Sequence, residues 1–163
     1  AYMEGKSFFM RDVIMPQLGK LNVQAYKYTG YVARICGMKS YFEENMKLLD
    51  DYNLDALFAS APIYTKIRGD NPTHYKDGAK VKNVMMADGC VIEGEVENSV
   101  IFRGVTVGKG AKIKNCILMQ DTVVEAGANV EYLITDKNVT ITAGKEMKGT
   151  DTFPVYIEKY KTV

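Results

Sequence analysis

Four short segments of the chain resemble one another: VKNVMM from Val81, VENSVIF from Val96, IKNCILM from Ile113 and VEYLIT from Val130. Their starts lie 15, 17 and 17 residues apart. The stretches between them also recur. GVTVGKGAKI from Gly104 and DTVVEAGANV from Asp121 align at an offset of 17, and KNVTITAG from Lys137 repeats the theme. Internal repetition at a fixed period decides architecture before any single residue does.

These units are far shorter than a helical repeat of ~33 residues. They are rich in Val and Ile and punctuated by Gly, Asn and Asp. Inside them an aliphatic residue recurs about every six positions, as in Val107 and Ile113 or Val124 and Val130. That is the hexapeptide pattern of a parallel β-helix. Each hexad supplies a short strand and a turn and points one aliphatic side chain inwards. Small residues such as Ala111 and Ala128 suit the corners, and Gly or Asn suits the places where φ turns positive. About three hexads make one coil, close to the 17-residue offset, and each coil buries its edge on the next. An antiparallel sandwich of short strands is the alternative, but sandwich strands have no reason to resemble one another. The hand does not follow from the repeat: parallel crossovers are normally right-handed.

The first sixty residues keep a different rhythm. Ser7 to Met15 reads as a short helix with Phe9 and Val13 on one face. Leu21 to Tyr28 alternates like a strand, and Tyr31 to Ile35 reads as a second extended piece. Ser40 is expected as an N-cap with Glu43 completing a capping box. Phe42, Met46 and Leu49 follow as an apolar stripe, and Leu54, Leu57 and Phe58 as one further helical turn. Residues 61–78 form a connector containing Pro62, Pro72 and the turn formers Gly69, Asp70 and Asn71, with a short strand expected at Ile63 to Ile67. The chain thus divides into 1–60, the connector 61–78 and coils over 79–163.

Composition narrows the function classes. At 163 residues with 47% hydrophobic content, the chain can bury a real core, and a net charge of +1 implies no strong attraction to nucleic acid or membrane. No apolar run approaches the ~20 residues of a membrane span. The chain opens on Ala1 rather than Met and reads as a piece of something longer. Cys36, Cys90 and Cys116 are an odd count without a CxxC, so buried, inert thiols in a reducing cytoplasm are expected. Many hexapeptide coils belong to acyltransferases that use a His as general base. The single histidine, His74, precedes the first coil and is better placed as a connector residue than as that base.

The order of these parts is specific. The stretch GYxxxxxxxxSYFEENMxLL from Gly30 to Leu49, the connector PIYTKIRGDNPT, and coils containing VIEGEVENSVIFRGV and ITDKNV together resemble the C-terminal part of bacterial glucose-1-phosphate adenylyltransferase (ADP-glucose pyrophosphorylase) across nearly the whole chain. The resemblance implies a mainly β chain. Its left-handed parallel β-helix of hexapeptide repeats would follow the α/β remnant of a nucleotidyltransferase domain. It also implies a parent that joins ATP to glucose 1-phosphate, assembles as a tetramer and answers to anionic effectors. The fragment alone would be inactive.

One departure matters. Catalytic members carry GYWxDVGTIxSY, whose Asp helps hold the metal ion. Here the stretch is GYVARICGMKSY, and Arg34 stands at the Asp position. A carboxylate suits Mg²⁺, whereas a guanidinium offers it no lone pair. The resemblance therefore points to the non-catalytic regulatory subunit of glycogen biosynthesis, which pairs with a catalytic subunit that would hold the Mg²⁺. A catalytic subunit with an unusual metal region is the alternative, and a hexapeptide acyltransferase the third reading. For an anionic effector the candidates are Lys66 and Arg68 in the connector and Lys137 in ITDKNV. Ile101 and Phe102 are candidates for exposed contact residues between coils of different subunits.

Overall fold

The computed structural model describes residues 5–59, 63–65 and 67–163. The chain forms two compact units, residues 1–30 and 31–163.

In the first unit a π-helical turn, Phe9–Ile14, leads into a short 3-10 turn, Met15–Gln17. The Asp12 carboxylate accepts from the backbone amides of Ser7 and Phe8, both at 3.0 Å, and so satisfies donors at the start of the turn. The strand expected at Leu21 to Tyr28 does not form, because an alternating segment becomes a strand only beside another strand, and among the described residues none pairs with it.

The second unit is a parallel β-solenoid of about four turns, with five levels of strand on each of three faces. The first face stacks His74–Tyr75, Val91–Ile92, Thr106–Val107, Val123–Val124 and Thr140–Ile141. The second runs through residues 80–82, 95–97, 112–114, 129–131 and 146–148. The third runs through 84–86, 99–101, 117–118, 133–135 and 155–157. Val81, Val96, Ile113 and Val130, the repeat starts, lie in one column, so the sequence offsets of 15, 17 and 17 are the strand registers themselves.

Most corners of the coils turn through positive φ. Gly110, Gly127 and Gly144 serve one corner, and Asn83, Asn98, Asn115 and Tyr132 the next. Gly89, Gly104, Asp121, Asn138 and Tyr160 serve the third. The 15-residue step comes from a shortened turn at Glu93–Gly94. It brings the chain so near the next coil that a Cβ on Gly94 would run into the carbonyl oxygen of Ala111. Ala111 and Ala128 are fully buried at their corners, as small residues there must be.

The inward rows, including Ile92, Val107, Val124 and Ile141, form the main core. Two buried hydroxyls sit within it at bonding distance: Thr122 Oγ1 and Thr135 Oγ1 are 3.0 Å apart. The C-terminal segment closes the stack. Val155–Ile157 pairs with Leu133–Thr135, and Thr162 bridges to Thr140.

The three outer surfaces differ in chemistry. The second face alternates charge from coil to coil. Lys80 reaches Glu95 at 2.6 Å, Glu97 lies 3.6 Å from Lys82 and 3.8 Å from Lys114, and Lys148 reaches Glu131 at 2.7 Å. The third face presents Val100, Ile117 and Ile134 outwards, and α1 (Met38–Lys47) covers them with Phe42 and Met46. α2 (Asp51–Phe58) follows, and the Asp50 carboxylate caps it by accepting from the amide of Asn53 at 3.3 Å.

Several expectations need correction. α1 starts two residues before Ser40, with Gly37 at the cap position. The Ser40 hydroxyl instead accepts from the amides of Cys36 and Gly37, at 2.8 and 3.0 Å, and satisfies donors ahead of the helix. Neither Tyr31 to Ile35 nor the described part of Ile63 to Ile67 is a strand, because no neighbouring strand lies beside either. Pro62 lies outside the described residues. Ile101 is not exposed: it points inwards and is buried in the core, while Phe102 packs beside the helix-covered face. Cys90 and Cys116 are buried thiols, but Cys36 is exposed because its segment lies outside the coils.

Candidate functional site

Lys137, one of the cations singled out in the sequence, lies at the corner between the third and first faces. Backbone hydrogen bonds stack that corner level by level. Gly104 N donates to Asp88 O at 3.2 Å, Asp121 N to Arg103 O at 3.0 Å, and Asn138 N to Gln120 O at 2.9 Å. Asp88, Arg103, Gln120 and Lys137 therefore form one column, each residue preceding a position of positive φ. With neighbouring strands ~4.8 Å apart, Arg103 and Lys137 are separated by two levels, or ~10 Å.

The connector lies over the top of this column. Gly89 N donates to Asn71 O at 2.7 Å, and Thr73 Oγ1 donates to Ala87 O at 3.0 Å. That places Asp70 between two guanidinium groups. Arg68 Nη2 donates to Asp70 Oδ1 at 3.1 Å, and Arg103 Nη1 lies 4.0 Å from Asp70 Oδ2. Asp70 Oδ2 and Gln120 Oε1 are buried and accept no hydrogen bond from any described residue. Beside the column, the Asp136 carboxylate accepts from the amide of Lys137 at 2.7 Å and from the hydroxyl of Tyr156 at 3.3 Å. Burial raises the Tyr41 hydroxyl above its usual pKa, and the negative charge of Asp136 adds to the rise.

Arg68 and Arg103 thus share Asp70 at the top of this column, and Lys137 lies two levels below Arg103. Lys66 lies outside the described residues. Arg103 was missed as a single cation in the sequence, yet its signal was there: Arg103, Gln120 and Lys137 are 17 residues apart in succession, the offset of the repeat. Chemically the corner offers planar and point-like cations to an anionic oxygen group, with Asp70 already occupying the two guanidiniums.

The remaining candidates stand apart from this corner. Arg34 is exposed in the stretch leading into α1, and its donor-only guanidinium does not fit a Mg²⁺ ligand position. His74 donates its backbone amide to Cys90 O at 2.8 Å, and no described carboxylate is hydrogen-bonded to its ring. Cys116 is inert: burial pushes its thiol up to about 12. Among the described residues no group of three or more His, Cys, Asp or Glu side chains is placed to hold a metal ion, and no helix is long and apolar enough to cross a membrane.

Comparison with known proteins agrees with the coils and with what precedes them. The chain is 42% identical over 151 residues to the glycogen biosynthesis protein GlgD of Bacillus subtilis, covering 92% of this chain and 44% of that protein. It is 53% identical over 70 residues to the GlgD of Geobacillus stearothermophilus, covering 42% of this chain and 20% of that protein. Glucose-1-phosphate adenylyltransferase of the same organism is 41% identical over 108 residues, covering 65% of this chain and 28% of the enzyme. The chain thus spans less than half the length of these relatives. It is homologous to GlgD, and so related to the adenylyltransferases. The family model for the GlmU-like, C-terminal hexapeptide covers residues 71–152, half of the chain and the coils almost from end to end, and the chain belongs to that family.

Proposed function

We propose that the parent of this chain is a regulatory, non-catalytic subunit of ADP-glucose pyrophosphorylase in glycogen biosynthesis. Similarity to GlgD over 92% of the chain carries this reading. Arg34 supplies the physical reason: a cation where a metal-holding carboxylate is expected repels Mg²⁺ rather than binding it. In this reading residues 1–60 are the last part of a nucleotidyltransferase domain, and the coils serve assembly with catalytic subunits in the cytoplasm. The catalytic subunit holds the Mg²⁺. The corner of Arg68, Arg103 and Lys137 receives an anionic effector, and Lys66 precedes it in the connector.

The test is pyrophosphate release from ATP and glucose 1-phosphate by the full-length parent with Mg²⁺, alone and mixed with the catalytic subunit of the same cell. The expected outcome is no turnover alone and altered kinetics in the mixture. Robust turnover alone would overturn the reading and favour a catalytic subunit. In the mixture, Arg103→Ala is expected to raise the phosphate or sugar-phosphate concentration needed for half-effect by ~10-fold, the worth of a charge-assisted bond.

A further inference from the structure

A second concave surface lies on the opposite corner, between the second and third faces. Asn83, Asn98 and Asn115 stand one above another there, with Tyr132 on the next level, all at positive φ. A left-handed backbone accounts for asparagine at such a corner, but a bulky aromatic at that position is an outlier. Alongside runs α1, with its Phe42 and Met46, and Leu49 just past its end, turned towards the corner. The groove between them has a volume of about 610 Å³, within the range of small-molecule sites.

The groove is polar on one wall and apolar on the other. Asn83 Nδ2 donates to Asn98 Oδ1 at 2.8 Å, and the amide ladder stops there. The backbone amide of Asn115 donates to Glu97 O at 3.1 Å, but its side-chain amide makes no hydrogen bond to any described residue, and Asn98 keeps its Nδ2 donors. The Tyr132 ring lies 6.1 Å from that of Phe42, tilted by 51°. Among the described residues no cation lines the groove, and Asp50 stands at its edge, so an anion is disfavoured. A primary amide presents a donor and an acceptor side by side, which is what a hydroxyl group needs. The aromatic wall matches the C–H face of a sugar ring. Because the amides repeat at the ~4.8 Å strand spacing, they match a chain of hydroxyl-bearing units better than one isolated ring.

We propose that this groove binds a neutral oligosaccharide, with hydroxyls on Asn98 and Asn115 and a ring face against Tyr132. The site is separate from the anionic corner and independent of the regulatory reading. It is tested by titrating maltotriose into ¹⁵N-labelled chain and following the side-chain amide signals of Asn83, Asn98 and Asn115. Saturable shifts confined to these residues and their neighbours are expected. Asn115→Gly keeps the positive φ and removes the amide. It should weaken binding about fivefold, the worth of one neutral hydrogen bond, while the rest of the spectrum stays in place. Absence of saturable shifts, equal affinity in both Asn98→Gly and Asn115→Gly, or the same shifts produced by inorganic phosphate would each overturn the proposal. Because no nucleotide is involved, failure here leaves the adenylyltransferase assays untouched.

Discussion

Leu21 to Tyr28 and the coils both alternate apolar and polar residues, yet only the coils are sheet. In the coils nearly every strand finds a near-copy of itself 15 or 17 residues away, the last strand of the third face excepted, and the inward rows are buried almost completely. In the early segment Leu21 and Val23 are 53% and 46% exposed, with no strand beside them. The comparison teaches that alternation specifies a face, whereas repetition also specifies the partner. A solenoid carries its own neighbours in its sequence.

The comparison can be broken most forcefully by placing a charge on each side of it. Val124→Asp puts a carboxylate among fully buried aliphatics and should abolish cooperative unfolding by circular dichroism, at a cost of ~3–5 kcal/mol or more. Val23→Asp should change stability by less than ~0.5 kcal/mol. A large loss from the second would show that the early segment has a packing role like that of the coils.

Phe42→Ala sharpens the boundary instead. It removes the ring that anchors α1 on Val100, Ile117 and Ile134, costing ~3–5 kcal/mol by analogy with other buried aromatics. Hydrogen exchange should show lost protection over α1 while the amides of the first and second faces stay protected. Global loss of protection would mean that helix and coils fold as one unit.

The thiols give a comparison readable by pH. Cys116 keeps its proton in the folded state up to about 12, whereas its ordinary value is 9.0. A raised value for an acid means the unfolded chain releases the proton first. Stability is therefore full below about 9 and falls as pH rises towards about 12. In native conditions at pH 8 a thiol reagent should modify the exposed Cys36 and spare Cys90 and Cys116. Rapid modification of Cys116 would show that the coils open locally.

The smallest effect belongs to the charged face. Glu97→Gln removes a partner of both Lys82 and Lys114, but these pairs are solvated. The loss should stay under ~1 kcal/mol and shrink further in high salt, as urea titration would show.

Much of the fold was legible because its period repeats. The offsets gave strand register, the alanines gave corners, and Asn, Asp and Gly marked positive φ. What escaped the sequence was whatever depends on a contact made once. The stripe of Phe42 and Met46 announced a buried helix face but not the surface it covers, because Val100, Ile117 and Ile134 look like core residues although they point outwards. Ser40 carried a capping signal two residues from where the helix begins, since a serine hydroxyl serves amides on either side of a helix start. The cationic corner was half legible: Arg68 and Lys137 stood out as cations near the connector and the coils, whereas Arg103 needed the repeat offset to be aligned with Lys137.

The last turn contains a lesson in spare length. From Leu133 to its partner Val155 the step is 22 residues rather than 17, and the excess sits in the loop from Gly149 to Pro154. Pairing resumes in register beyond it, so strands here are addressed by neighbour and not by count. That loop is consequently a natural graft point: a foreign peptide inserted between Asp151 and Thr152 would be displayed at a corner of the solenoid, and no strand below or above would change its address.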